Sequence, residues 1–227
     1  MSEPTPSLTH SKETTPERLL QAAISVFAEK GFAGARVDEI ARRGRANKAM
    51  IYYHFGNKRE IYQAALLHAL AQTRKAIQEL VQREPRARER LLAMAEELSH
   101  RFTEEPALPQ MMLREILAGG RHLTPVLTGH MAAAFAAVRG TLEQGRNEGV
   151  FRAVDPFLTH LTLVGSLLFF HASANFRQRV MASELPQLPL PTPEVFLAHL
   201  KELLIRGLGP EPQGSRASRA NSWKKAN

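Results

Sequence analysis

VDEIARRGRANKAMIYYHFGNK, residues 37–58, packs a short amphipathic segment, a tight turn and a second short helix into twenty-two positions. Five basic side chains, two adjacent tyrosines and a histidine fall within it. Helices are expected over 37–43 and 47–53. Asn57 then caps a long helix, with Glu60 three positions on in capping-box register, running to about residue 83 and ended by Pro85.

Upstream, Thr15-Pro16 opens a helix in which Leu20, Ala23, Ile24 and Phe27 form one apolar stripe. Gly31 is read as its terminator, with Phe32 as the apolar contact beyond. Downstream, the same Thr/Asp-Pro start recurs at Thr124-Pro125, Asp155-Pro156 and Thr192-Pro193. Helices are expected over 86–104, 107–118, 124–148, 156–181 and 193–206. No stretch alternates apolar and polar residues long enough to make a strand. The fold class is all-α: about nine helices, with a three-helix head over 14–60 and a larger helical body over 61–208. The polar, proline-bearing start (1–13) and the Gly/Ser/Arg/Lys-rich end (209–227) are expected to be disordered.

The chain of 227 residues is 44% apolar and 23% charged, ordinary for a globular protein. Zero cysteines exclude disulfides, thiolate metal sites and a cysteine nucleophile, and fit a reducing cytoplasm. The first thirty residues lack the apolar run of a signal peptide. The most apolar run, 161–170, is too short to span a bilayer and contains Thr162, Gly165 and Ser166, so no membrane partner is expected. Net charge is +8 with a pI near 10.2, a balance that draws polyanions. Seven Lys/Arg lie between residues 36 and 59 against Asp38 and Glu39. Such a run is most often just a solvated face, so helix angles carry more weight.

At about 100° per residue, Ile51 and Phe55 fall on one side of the 47–53 helix and can face Phe27 and Ile40. Ala49 and Tyr53 then point away from that core, flanked by Met50 and Tyr52. A purely structural helix gains little by exposing two tyrosines and a methionine. A helix in a DNA major groove does gain: small Ala49 lets the backbone approach, and Tyr53 and Met50 can meet bases or thymine methyls. Lys48 suits phosphate or guanine edges, and Tyr52, His54 and Lys58 suit phosphate oxygens.

Three segments together, V37DEIA41, N47KAMIYYHF55 and N57K58, resemble the DNA-binding head of the TetR/AcrR family of bacterial regulators. The likeness is close over residues 15–67 and architectural beyond. G149VFRAVD155 is similar to a segment common between the family's later helices. The resemblance implies base-reading positions for Lys48, Ala49, Met50 and Tyr53 and phosphate positions for Tyr52, His54 and Lys58, with Asn47 among the contacts. Arg36 stands where the family has a Thr or Ser that caps the second helix and touches phosphate. The turn departs from the family's Ala-Gly-Val: here it is Gly44-Arg45-Ala46. Either the positive φ moves to Gly44 or Arg45 bears strain, with a phosphate contact by Arg45 as a compensation.

In the body, Met111, Met112, Ile116, Met131 and Phe135, with Leu163, Leu167, Phe170 and His171, are candidates to line an apolar ligand pocket. For any one of them ordinary core is the plainer reading. His160 and His171 project from nearly the same side of one expected helix, but no third ligand stands at metal spacing. His171 therefore reads as a polar handle or a satisfied core histidine, and no metal or cofactor is expected. Gly165-Ser166 permits close helix approach. By the resemblance, it would join the last helix (Phe196, Leu197, Leu200, Leu203, Leu204) in a homodimer interface.

No Gly-rich phosphate loop, H-E-x-x-H or facing carboxylate pair points to an enzyme. The expected function is a sequence-specific transcriptional regulator: a homodimeric repressor of a palindromic operator on double-stranded DNA, released by a small apolar effector. It would sit on the nucleoid in a bacterial cytoplasm. The alternative is a helix-turn-helix protein without an effector, controlled by a protein partner or by abundance. The terminal basic residues Arg216, Arg219, Lys224 and Lys225 are candidates for nonspecific DNA attraction.

Overall fold

The computed structural model describes residues 14–210; the expectations for 1–13 and for the tail beyond 210 lie outside them. Ten helices and no strand are present among the described residues. They are α1 (Thr15–Gly34), α2 (Val37–Arg43), α3 (Lys48–Phe55), α4 (Lys58–Arg83), α5 (Ala87–Glu104), α6 (Ala107–Leu117), α7 (Pro125–Asn147), α8 (Pro156–Ala172), α9 (Ala174–Glu184) and α10 (Pro193–Leu208). The chain divides into two compact units between Ala65 and Leu66, inside α4.

The first unit packs α1, α2 and α3 around Leu19, Ala23, Phe27, Ile40 and Ile51, all fully buried. Thr14 rather than Thr15 caps α1; its N and Oγ1 both donate to Glu17 Oε2 at 2.8 Å. Gly31 breaks the helix as expected, at φ 67° and ψ 177°, and a last turn to Gly34 follows. Arg43 ties α2 to α1 through two bonds to Glu29, at 2.6 and 2.7 Å, while also reaching Glu39 at 2.8 Å.

In the second unit α5 packs on α7, α8 and α10, and α6 on α8. The three later proline starts are capped as the sequence implies. Thr124 Oγ1, Asp155 Oδ1 and Thr192 Oγ1 accept from Leu127, Leu158 and Val195 N–H. The single helix expected over 156–181 is instead two, α8 and α9, bent by 61° at Ser173. Side chains bond to the carbonyls at the bend: Ser173 Oγ donates to Phe169 O, which also accepts from Ser173 N–H, and the Arg177 guanidinium donates to Phe170 O and Ser173 Oγ. A serine bonded back to the preceding turn commonly bends a helix. No single helix among the described residues is long and apolar enough to cross a membrane.

Beyond α7, Gly149 turns the chain at φ 74° and Phe151 is buried against Gly145. Arg152 then bonds to the end of α10, N to Leu208 O at 2.9 Å and Nε to Gly207 O at 2.7 Å.

Candidate nucleic-acid interface and ligand cavity

The turn before α3 has a definite geometry. Gly44 has φ −75° and ψ 2°, and Arg45 takes the left-handed conformation at φ 52°. Arg45 N–H donates to Arg42 O at 3.2 Å and Ala46 N–H to Ala41 O at 3.0 Å, the bonding pattern of a Schellman end. Of the two alternatives for this turn, Arg45 carries the positive φ. Asn47 then caps α3, its Oδ1 accepting from Ala49 N–H at 3.0 Å. That carboxamide has a structural task whether or not it meets DNA.

On α3, Ile51 is fully buried and Phe55 half-buried, while Ala49, Tyr52, Tyr53 and His54 are exposed and Met50 is half-exposed. Tyr53 is 80% exposed and Tyr52 48%. The Tyr53 ring stands edge-on to His54 with centroids 4.8 Å apart. The helix thus turns a contiguous aromatic and polar face outward.

The basic residues divide into two groups. Lys48 Nζ lies 2.9 Å from Asp38 Oδ1, a hydrogen bond that holds its amine above the usual lysine range. Lys58 is half-buried, its ammonium 4.7 Å from the Phe32 ring centroid and 3.4 Å from Ala33 O; burial pushes its amine down. Arg43 is engaged with Glu29 and Glu39. Arg36, Arg42, Arg45 and Arg59 are exposed and form no ion pair among the described residues. Arg36 precedes α2 without capping it by its side chain. Arg42 and Arg59 belong to the same exposed set; their only sequence signal was the charge run.

The body holds an apolar cavity of about 140 Å³ between α4, α5, α6, α7 and α8. Of the sequence candidates, Met112, Ile116, Met131 and Leu163 line it. Met111, Phe135, Leu167, Phe170 and His171 do not. Met111 and Leu167 are ordinary core, and Phe135 packs edge-on to Phe157 and His160. Phe170 stacks on Phe196 at 4.0 Å with the Arg177 guanidinium 3.9 Å from its ring centre. His171 is a satisfied core histidine: Nε2 lies 3.3 Å from Ser99 Oγ, and its ring stands against Phe102. Burial, then Arg177, pushes its imidazole below the usual range.

The lining that the sequence reading missed is mostly on helix stripes. Leu70, Thr73, Arg74 and Ile77 on α4, and His130, Ala134 and Val138 on α7, repeat at three- and four-residue spacing. No group of three or more metal-ligating side chains occurs among the described residues.

A family model described as bacterial regulatory proteins, tetR family, matches residues 19–65. A second, described as a tetracyclin repressor-like C-terminal domain, matches residues 85–189. The chain belongs to the TetR family. The HTH-type transcriptional repressor NicS of Pseudomonas putida is 28% identical over 164 residues, covering 71% of this chain and 77% of that protein. The repressor SCO4008 of Streptomyces coelicolor is 48% identical over 54 residues, 24% of this chain and 28% of that one. The crystal structure of the TetR family regulator PfmR from Thermus thermophilus is 27% identical with a TM-score of 0.63, covering 86% of this chain and all of its own. A TetR-family chain is a DNA-binding transcriptional regulator and not an enzyme; the all-helical fold with an N-terminal helix-turn-helix is that of the family.

Proposed function

We propose that this TetR-family protein is a homodimeric repressor that reads a palindromic operator with α3 and leaves it when a small apolar ligand enters the body. The observation that carries DNA reading is the outward face of α3, where Ala49, Tyr52 and Tyr53 are exposed opposite fully buried Ile51. Lys48, Ala49, Met50 and Tyr53 would meet base edges. Arg36, Arg45, Tyr52, His54 and Lys58 would hold phosphates, the last after leaving Phe32. Asn47 would act by fixing the start of α3. That NicS and SCO4008 are named repressors favours repression over activation. The place of action is the nucleoid in a bacterial cytoplasm.

Dimerisation is supported by α8. Leu158, Leu161, Thr162 and Phe169 are exposed along one face, with Gly165 between them. A β-carbon on Gly165 would meet nothing within 4 Å, so the chain's own packing gives no reason for a glycine there. On α10, Leu203 shares that exposure, whereas Leu200 and Leu204 are buried within the chain. A four-helix interface of α8 and α10 from two copies would cover this surface, and a dimer matches the two-fold symmetry of a palindrome. For release, the cavity supplies an apolar site within the body, and a ligand shifts the equilibrium by its differential affinity for the two states.

Selection of bound genomic fragments tests the reading. An inverted repeat should emerge from the intact protein, and Tyr53→Ala should lose preference for it while keeping nonspecific binding. Fragments without a shared motif would defeat the operator assignment.

A further inference from the structure

Two histidines line the cavity, His130 on α7 and His160 on α8, and the Nδ1 atom of each is buried without a hydrogen-bond partner. The rest of the wall is Leu, Ile, Met, Val, Ala and Phe, apart from Thr73 and the solvent-exposed Arg74 on α4. Thr73 Oγ1 is already bonded to Ala69 O at 3.1 Å. A buried polar atom left without a partner is destabilising, so two on side chains that line one cavity call for a partner. Burial alone pushes the His160 imidazole below its usual range, which keeps that ring neutral at pH 7. A neutral imidazole offers one donor and one acceptor nitrogen.

We propose that the cavity takes a single-ring, uncharged molecule carrying a hydroxyl or similar group, with His130 and His160 as its hydrogen-bonding partners. Size, charge and polarity each narrow the class. About 140 Å³ is the scale of cavity that takes one benzene-sized ring. The wall is mostly apolar and desolvating, and its one cation, Arg74, stays in solvent, which disfavours a bound carboxylate or ammonium. A hydroxyl both donates and accepts, so it can pair with an imidazole nitrogen whichever tautomer is present. This inference rests on the reading of the body as an effector site and sharpens it to a ligand class.

Phenol, toluene and benzoate are the probes, added to the full-length protein and read by thermal shift and by isothermal titration. Phenol should bind more tightly than toluene, and benzoate least. His130→Phe and His160→Phe should each weaken phenol about five-fold, the worth of one neutral hydrogen bond, while leaving toluene unchanged or improved. Equal affinities for phenol and toluene in the intact protein, or a preference for benzoate, would overturn the histidine assignment yet leave an apolar effector site standing. A failure of all three probes to bind would overturn it too. The broader effector reading has its own readout, release of operator DNA in a screen of larger apolar compounds, so the two can fail separately.

Discussion

Leu19 occupies the space that a side chain at Gly44 would need. A β-carbon on Gly44 would lie 2.9 Å from Leu19 Cδ2 and 3.2 Å from Leu19 Cα. The glycine is therefore spent on close approach of α1 and the α2 end, and the left-handed position falls to Arg45 at φ 52°. A non-glycine residue there costs about 1–2 kcal/mol. Gly44→Ala should destabilise the protein by about 1–3 kcal/mol through overpacking. Arg45→Gly should be stabilising by a few tenths to about 1 kcal/mol, since relieved strain slightly exceeds glycine's extra chain entropy. If Arg45 holds a phosphate, the same variant binds operator more weakly and lowers the salt slope by about one ion. Urea unfolding and salt-titrated anisotropy separate these effects; a destabilised Arg45→Gly would refute the strain argument.

Lys48 reaches DNA only by leaving Asp38, which sits 2.9 Å away and itself repels phosphate. Asp38→Asn should therefore tighten binding to any DNA about three- to ten-fold at low salt and steepen the salt dependence. Lys48→Ala should weaken binding and reduce the slope by about one ion. In the double variant the Asp38 effect should shrink, because the competitor has lost its target. Additivity within error would mean that the pair is not a switch between free and bound forms.

The head was legible because its signals are local. Ile51 against Ala49 and Tyr53 is a matter of helix angle. In the body only the helix starts are as local, since Pro125, Pro156 and Pro193 each follow their own cap. What stayed hidden needed neighbours distant in sequence. Methionine and phenylalanine content pointed to a cavity, but Met111 and Leu167 are core while Met112 and Leu163, with the same composition signal, line the space. His171 drew notice and proved to be bonded to Ser99, seventy-two residues away. His130 drew none, though His130, Met131, Ala134 and Val138 share one face of α7. The bend at Ser173 depends on Arg177 reaching back to Phe170 O, which an apolar pattern does not encode.

Gly145 and Phe151 form a second close fit. A β-carbon on Gly145 would fall 2.0 Å from Phe151 Cδ2, inside the ring's own volume. Phe151 is 5% exposed and anchors the loop that Arg152 ties to Leu208 and Gly207. Phe151→Ala should cost about 3–5 kcal/mol as a large-to-small core change, and Gly145→Ala about 1–3 kcal/mol. In the double variant the methyl added at position 145 fills part of the hole, so the combined loss should be smaller than the sum. Thermal or denaturant unfolding of the four proteins gives the coupling directly, and a purely additive cycle would show that the contact carries no energy of its own.

The two buried imidazoles predict how stability depends on pH. His160 is lowered from 6.5 by burial, and His171 by burial and then by Arg177, with Glu194 opposing weakly. Their folded pKa values lie below those of the unfolded chain. As pH falls through about 6.5 the unfolded state takes up protons that the folded state refuses, so stability drops until the folded values are reached. The slope from both groups should fade above pH 7 and be nearly gone at about pH 8. His160→Phe should flatten the acid side of the profile while keeping an apolar ring beside Phe135. His171→Asn should flatten it too, but at a net loss of stability because the bond to Ser99 and the edge contact with Phe102 are changed together. Chemical denaturation at half-unit steps from about pH 5 to pH 8 resolves the two contributions. A profile for the double variant as steep as that of the parent would assign the acid lability to other groups.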